Sequence, residues 1–425
     1  MRIAVIGSGI SGLAAGYYLS RKHEVSLFEK EPRLGGHTNT VTVDSSRGPI
    51  PIDTGFIVHN DRTYPNLVRL LRELGVETQP SDMSFAVSCH KTGFEYSSRG
   101  LNGFFAQRSN VFRPAQYRLL REILRFNRTA PALLEQPGAE TATLGDFLDE
   151  GKYQTEFTER YLFPMASAVW SMSFDTIRSF PALTLIRFFD NHGMLGINSH
   201  PQWKAIRGGS RQYIPPLTAP YRDRIHSDAD IASVARGDSG VTLIFRARPS
   251  VGRLGNEAPP MTFDQVVFAC HGDQILPLLE SPSEHEREVL GNFATSLNAT
   301  CLHTDSRLLP RRGRSRASWN YNLGLDAQES VTVTYHMNRL HSLDTAEDYC
   351  VTLNADGAVD PAKILLQMFY EHPLYTRAAL RAQERWGEIS GQNRTHYCGA
   401  YWFYGFHEDG LNSALRVARA LGVEC

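Results

Sequence analysis

The sequence predicts a mixed α/β (α+β) chain, and three observations predict it. They are a strand, glycine turn, helix, strand order at the start, a second glycine-rich segment near the end, and intervening stretches that read first as helices and then as strands mixed with helices. The opening run Met1-Arg-Ile-Ala-Val-Ile-Gly7-Ser8-Gly9-Ile-Ser11-Gly12 passes from β-rich residues straight into Gly-x-Gly-x-x-Gly and then a helix-forming stretch, 13–19. Gly7 permits the tight turn, Gly9 lets the backbone approach a pyrophosphate, and Gly12 lets the helix pack on the sheet, so that phosphates lie at a helix N-terminus. The strand Glu24–Phe28 follows and ends in Glu29, an acid about twenty residues past the first glycine and so placed for a ribose hydroxyl. A Gly-rich structural turn is the alternative, but strand, turn, helix, strand and acid all occur in order.

Lys30 comes next, then Glu31-Pro-Arg33-Leu-Gly35-Gly36-His37-Thr38, and later Pro51-Ile-Asp53-Thr54-Gly55-Phe56. A plain Gly-Gly turn between strands is one reading of these segments. Together they resemble the Glu…Arg-x-Gly-Gly-Arg…Asp-x-Gly pattern of the flavoprotein superfamily that contains monoamine oxidases, protoporphyrinogen oxidases and phytoene desaturases. The resemblance implies a discontinuous Rossmann-like FAD-binding domain beside a substrate domain, as in amine oxidases. It also implies a non-covalent FAD held by Gly7, Ser8, Gly9, Ser11, Gly12, Glu29, Lys30, Gly35, Gly36, His37, Thr54, Gly55 and Phe56. His37 departs from the pattern: many members carry Arg there, so a fixed positive charge becomes a titratable one.

The other end of the chain supplies the matching half. The run from Tyr397-Cys398-Gly399-Ala400 through His407-Glu408-Asp409-Gly410-Leu411 to Leu415 resembles the superfamily's closing segment, whose final helix points its N-terminus at the flavin ring. A helix starting near Gly410 offers free N–H groups and a positive dipole end that suit negative charge on a reduced ring. The resemblance adds Gly399, Asp409, Gly410 and Leu411 to the cofactor set, while Ala400 stands where many relatives have an acid. The aromatic run 401–404 reads equally as core or as an active-site wall. Cys398, next to the expected flavin, leaves a covalent link as the lesser alternative.

Between the two ends, 225–234 before the strand Gly240–Phe245 resembles the family segment whose backbone meets the adenine ring, which points to Ile231. The run 264–269 reads as a buried strand, and 206–213 matches a Gly-Gly turn returning the chain to the FAD domain. A narrower resemblance rests on Asn191-His192-Gly193, Pro201-Gln-Trp203, Trp319-Asn320-Tyr321-Asn322, Thr334-Tyr335-His336-Met337-Asn338, Tyr370-Glu-His372-Pro373 and 405–410. These resemble a bacterial family of FAD-binding, amine-oxidase-like proteins that accompany cyclopropane- or methyl-fatty-acid synthases. That likeness implies desaturation of methyl-branched acyl chains of membrane phospholipids, with a fatty-acid methyltransferase as partner. Nothing in spacing or composition shows a fatty acid, and a flavin amine oxidase releasing peroxide or a non-catalytic FAD- and lipid-binding protein stay open.

Composition sets the outer limits. With 425 residues, 42% hydrophobic, and a formal charge of −1, the chain is long enough for one large or two medium cores and is not disordered. Near-neutral charge argues against nucleic acid as a partner. No apolar run reaches about 18 residues and the chain opens on a buried strand, so the expected place is cytoplasmic, peripheral on the inner face of the cytoplasmic membrane where lipid is the substrate. Six cysteines without a Cys-x-x-Cys pair fit reduced thiols rather than a zinc site or disulfide frame.

From where the flavin segments fall, 1–60, 205–285 and 388–425 are expected to form the FAD domain, and 61–204 with 286–387 the substrate domain. The first insert is expected to be mainly helical, with a helix over 64–74 ended by Gly75. The second mixes strands, such as 329–337, with a helix over 361–370. Exposed loops are expected at 247–260 and 311–316.

Two basic features bear on the substrate's location. After Pro114, the run 117–128 places Arg118, Arg121, Arg125 and Arg128 within roughly 80° of arc at about 100° per residue. Such a helix lies on an anionic membrane or is simply packed with one solvated face. Arg307, Arg311, Arg312, Arg314 and Arg316 form a second cluster, suited to phosphate headgroups or to a solvated loop.

The catalytic groups are harder to read. Many amine-oxidising relatives place a lysine near the flavin, yet no Lys occurs between Lys204 and Lys363, and the matching stretch begins Phe293-Ala-Thr-Ser-Leu-Asn298. Hydride transfer to a flavin needs a base or an acidic C–H for the accompanying proton. His407 and Glu408 lead the candidates, with His59, His192 and Tyr404 behind them. The alternative is that His407 and Glu408 only cap the last helix and bond the ribityl chain.

Overall fold

The structure is a computed structural model describing residues 1–139, 142–170, 174–196, 201–246, 259–324, 332–355 and 357–425. Among the described residues, a five-stranded parallel sheet runs in the order Ile225–His226, Glu24–Phe28, Arg2–Ile6, Gln265–Phe268, Thr395–Tyr397. Its central strands are apolar on both faces, as a parallel sheet covered on both sides requires. Ile3, Val5, Val25, Leu27, Val266 and Val267 are all fully buried. Three separated stretches of chain thus meet side by side, with the first helix, Ile10–Leu19, and the closing helix, His407–Ala420, packed together against them.

A seven-stranded sheet forms the second layer system, in the order Ile364–Pro373, Thr295–His303, Cys350–Leu353, Thr332–His336, Trp319–Leu323, Phe85–Cys89, Glu95–Ser97. The first insert therefore gives two strands to this sheet as well as most of the helices. Those helices close on an aromatic core in which Phe126, Phe157, Phe180 and Phe189 are buried to 1% exposure or less. One of them, Pro65–Glu73, starts on proline and stops before Gly75 at φ +66°, close to the expected 64–74.

Two expected elements are corrected. The helix over 361–370 does not form: Pro361–Lys363 makes one short turn and Ile364–Pro373 is a strand paired along its length with Thr295–His303. Leu, Gln and Met favour a helix in isolation, but the ladder of pairings offered by a sheet edge overrides that weak preference. The closing helix begins at His407 rather than near Gly410, because the Asp409 carboxylate accepts the Phe406 N–H at 2.9 Å and starts the first turn earlier. Of the expected strand 329–337, Thr332–His336 is a strand and Met337–Leu340 a short helix, while 329–331 lie outside the described residues. The loop expected at 247–260 lies outside them up to residue 258. No helix among the described residues is long and apolar enough to cross a membrane.

Candidate functional site

The glycine turn carries the site. Gly7 has φ +104°, which a side chain rarely adopts, and a Cβ there would meet the backbone of Ala269 and Cys270 at 2.9 Å. A Cβ on Gly12 would lie 1.9 Å from the Gly7 carbonyl oxygen, so the helix can sit this close only as glycine. Gly9 differs: a Cβ there faces open space, with nothing within 4 Å. The open side of Gly9, at the N-terminus of Ile10–Leu19, is the place a pyrophosphate needs. Glu29 closes one flank by accepting the Ser8 N–H at 2.9 Å and the Ser8 hydroxyl at 2.6 Å. Lys30 beside it is exposed. The segment leading to Ile231 runs alongside, since Ala229 N–H donates to the Glu29 carbonyl at 2.8 Å, and Ile231 is itself buried at the head of the strand Ile231–Gly237.

A second loop folds over the first. Gly35 N–H donates to the Ser8 carbonyl at 3.0 Å, and a Cβ on Gly36 would come within 3.3 Å of the Gly9 Cα. Arg33 braces this loop by donating to the carbonyls of Gly36 at 2.8 Å and Thr38 at 3.0 Å. Thr54, Gly55 and Phe56 pass behind it: Thr54 N–H reaches the Asn39 carbonyl at 2.9 Å and Phe56 N–H the His37 carbonyl at 2.8 Å. Asp53, fully buried, ties in the Gly-Gly turn by accepting Ser210 N–H and hydroxyl, both at 2.8 Å, with His341 at 3.2 Å.

The closing helix reaches the same place. A Cβ on Gly410 would meet Ile10 at 2.6 Å and the Ser11 hydroxyl at 2.9 Å, so its first turn presses on the first turn of Ile10–Leu19. Leu411 is fully buried and the Gly399 N–H donates to the Ser413 hydroxyl at 2.8 Å. Burial pushes the Asp409 carboxyl up to about 7, against the Phe406 N–H that favours its charged form. Cys398 is fully buried and its thiol is pushed up by burial, which leaves it little thiolate character for a covalent bond.

The expected catalytic residues separate into distinct environments. His407 stacks on Phe56 with ring centroids 3.7 Å apart, and its Nε2 lies 2.8 Å from the Tyr213 hydroxyl and 3.2 Å from Thr38. Burial lowers it to about 3, so it is a neutral ring. Glu408 is engaged elsewhere: its two oxygens accept the N–H groups of Asn66 and Leu67 at 2.9 and 2.8 Å, clamping the start of the helix Pro65–Glu73. Glu408→Ala should therefore lower stability by about 2–3 kcal/mol, read by urea unfolding, because two helix N-terminal donors lose their acceptor. His59 is buried and His192 half-buried, and both are lowered to about 4, mainly by desolvation. His192 Nδ1–H donates to the Phe188 carbonyl, 2.8 Å away, and the ring packs among Phe188, Trp203 and Phe406. Tyr404 is half-buried, whereas Tyr401 and Trp402 pack on Phe293 as core.

Sequence reasoning named His37 but missed the cluster that forms around it. His37 lies against Tyr370 at 4.8 Å, His372 at 5.4 Å and His271 at 6.2 Å between ring centroids, and its buried Nε2 has no hydrogen-bond partner. Tyr370 is held by Thr54 at 2.8 Å and Asn39 at 2.9 Å. All three imidazoles are shifted toward the neutral form, first by burial; neighbouring imidazoles add to it for His37 and His372, while Glu371 and Asp273 oppose it at His271. A buried ring nitrogen without a partner, next to the open cradle at Gly9, fits a ligand rich in acceptors and donors. In place of the fixed charge many relatives carry, this chain offers an uncharged contact.

Three known proteins bear on this geometry. A flavin-containing monoamine oxidase candidate of Mycobacterium tuberculosis is 25% identical over 255 residues, 57% of this chain and 53% of that protein, so the chain spans about half the length of that relative. A solved putrescine oxidase superposes at TM-score 0.69 with 14% identity, covering 99% of both chains. A CLA-producing fatty acid isomerase from P. acnes superposes equally, at TM-score 0.69 with 15% identity and 99% of both chains. The family model for flavin-containing amine oxidoreductases matches residues 10–370, from the first helix to the edge strand. That match, which takes in the first helix from Ile10 and the second loop, makes the chain a member of the flavin-containing amine oxidoreductase family, with FAD as its cofactor.

Proposed function

We propose that the protein desaturates acyl chains of membrane phospholipids, methyl-branched chains in particular, as an FAD-dependent oxidoreductase. When bound, the flavin supplies a two-electron acceptor for hydride, and oxygen or a quinone-like carrier takes the electrons onward. One observation carries the reading: the histidines grouped around the second loop and the start of the closing helix are neutral and lie against aromatic rings. His37, His271, His372, His407, His59 and His192 are all held toward the neutral form by burial. Phe56, Phe188 and Phe406 wall the space between the closing helix and the first insert. The strand Thr295–His303, where relatives place a lysine, has none. An apolar chain loses little by entering such surroundings.

In this reading the residues orient rather than titrate. His407, fixed between Phe56 and Tyr213, holds the first turn of the closing helix against the second loop, and Tyr370 and His372 shape the opposite wall. Among the groups of the closing segment, Asp409 is the one that changes charge near neutral pH. Its raised carboxyl favours the folded state when protonated, so that contribution is present below the ordinary Asp range and is lost as pH rises toward about 7. Asp409→Asn should flatten the fall in melting temperature between mildly acidic and neutral pH; an unchanged pH profile contradicts the assignment.

The family match and the shared fold with putrescine oxidase favour a second reading, an amine oxidase that releases peroxide. The fatty acid isomerase on the same fold is the counterpart for acyl chains. Lipid mass spectrometry of cells expressing the protein with and without a fatty-acid methyltransferase separates them. Loss of two hydrogens from methylated chains is expected. Unchanged lipids together with peroxide from simple amines would establish the amine reading, and a flavin that neither substrate class bleaches anaerobically would leave a binding protein.

A further inference from the structure

We propose that one corner of the first insert docks on an anionic lipid bilayer. The corner consists of the short helix Gly100–Phe104, the turn Arg108–Phe112 and the start of the helix Pro114–Thr129. Its apolar side chains point outward: Phe112 is 87% exposed, Leu101 68% and Tyr117 49%. This exposure is built into the corner. Tyr117 hydroxyl donates to the Val111 carbonyl at 2.9 Å, Arg108 donates to the Phe105 carbonyl and Asn102 at 3.2 Å, and Phe105 packs on Tyr117 at 5.4 Å. The opposite face of the helix buries Leu119 and Phe126 in the insert's core, so the outward face is fixed.

Charge names the occupant. From Arg99 to Arg128 the chain carries seven arginines and a single acid, Glu122. Glu122 is buried and spent on Arg125 at 2.6 Å. Among the described residues, Arg113, Arg121 and Arg128 have no carboxylate partner, and Arg118 has only Glu156 at 4.0 Å. A groove of about 400 Å³ lined by Val111, Phe112, Pro114, Tyr117, Arg118 and Arg121 runs along this face. A second groove of about 480 Å³ continues from Arg121 past Leu124 to Arg128 and Lys152. An aromatic and leucine tip ringed by unpaired guanidinium groups matches the headgroup boundary of an anionic membrane, where apolar groups enter the acyl region and arginines meet phosphates. A nucleic acid would use the arginines and gain little from an outward Leu101 or Phe112.

The other basic cluster expected from the sequence does not compete for this role. Arg307 is paired with Asp305 at 2.5 Å, Arg312 with Glu95 at 3.2 Å and Arg316 with Asp348 at 3.0 Å, which leaves Arg311 and Arg314 exposed.

The test is sedimentation of the FAD-loaded protein with vesicles of dioleoyl phosphatidylglycerol and dioleoyl phosphatidylcholine in equal parts, whose chains carry no methyl branch. Their chains report docking whether or not the acyl-desaturase reading holds. Wild type should sediment with these vesicles, release at high salt and ignore pure phosphatidylcholine. Replacing Arg113, Arg121 and Arg128 with Gln should weaken binding by about fivefold each, on the order of 100-fold together. Phe112→Ser, at a side chain with almost no packing to lose, should weaken it at least tenfold while the flavin band and melting temperature stay unchanged. No binding by wild type, or equal binding by Phe112→Ser, overturns the proposal. So does equal binding of wild type and Phe112→Ser to heparin beads at the affinity seen for vesicles, since it would make the surface a general polyanion site.

Discussion

Gly9→Glu should give a folded but colourless protein. A side chain at Gly9 points into open space, so the fold has no clash to relieve, and a carboxylate there confronts the pyrophosphate of FAD. Bringing like charges together costs several kcal/mol, which weakens FAD binding by about 100- to 1,000-fold. Gly9→Ala separates the two effects, because a methyl group fills the space without charge and should reduce affinity far less. The measurements are flavin absorbance after gel filtration and the far-ultraviolet circular dichroism of the same sample. Retention of FAD by Gly9→Glu would mean that the phosphates lie elsewhere. The control is Gly12→Ala, whose methyl group would sit on the Gly7 carbonyl and should damage the fold itself.

Arg236→Ala is the second large effect. Arg236 and Glu286 form a buried pair at 2.5 and 2.9 Å with side-chain exposures of 6% and 1%, and Tyr397 hydroxyl also donates to Glu286 at 2.5 Å. The trio joins the strand Ile231–Gly237, the helix Glu284–Leu290 and the strand Thr395–Tyr397, which leads directly into the closing segment. Removing Arg236 leaves a buried carboxylate without its cation and should cost about 3–5 kcal/mol. Burial pushes the Glu286 carboxyl up, but the bonds from Arg236, Tyr397 and Ser283 outweigh it and hold it below its usual range. The stabilisation is therefore complete above the ordinary Glu range and is lost as pH falls through the lowered value. Thermal release of FAD should shift down sharply in Arg236→Ala and modestly in Tyr397→Phe. Equal release from Arg236→Ala and wild type would contradict the assignment.

The cradle was legible because each of its glycines answers a local steric demand that a short sequence window contains. Glu29 stands at the end of its strand beside Ser8, and Gly35 and Gly36 fold onto the first loop at Ser8 and Gly9. The wall opposite was not legible. Tyr370 and His372 lie on one face because the chain there is a strand of period two, and the helical reading of 361–370 ended before His372. His271 comes from a loop far from both and meets His37 only through the tertiary fold. Glu408 shows the opposite limit. Its place in a family motif suggested chemistry, while its partners, Asn66 and Leu67, are 342 and 341 residues away in sequence. The five- and seven-stranded sheets each collect strands from separated stretches of chain, and their strand orders are not readable from any local pattern.

The order of the parallel sheet has a consequence for synthesis. Ala4 finds its neighbour Val266 only after some 262 residues have been made, and Val266 waits for Thr395. At about 5–20 residues per second, the inner edge of the first strand stays unpaired for roughly ten to fifty seconds on each ribosome. Throughout that time Ile3, Val5 and Ile6 present an apolar strand with a free row of backbone donors and acceptors, the kind of edge that recruits other chains. The cofactor cannot relieve this interval, since the helix that closes its site is made later still. Yield in the cell should therefore depend on elongation rate and chaperone supply more than on the stability of the finished protein, and extra FAD should rescue little of what is lost.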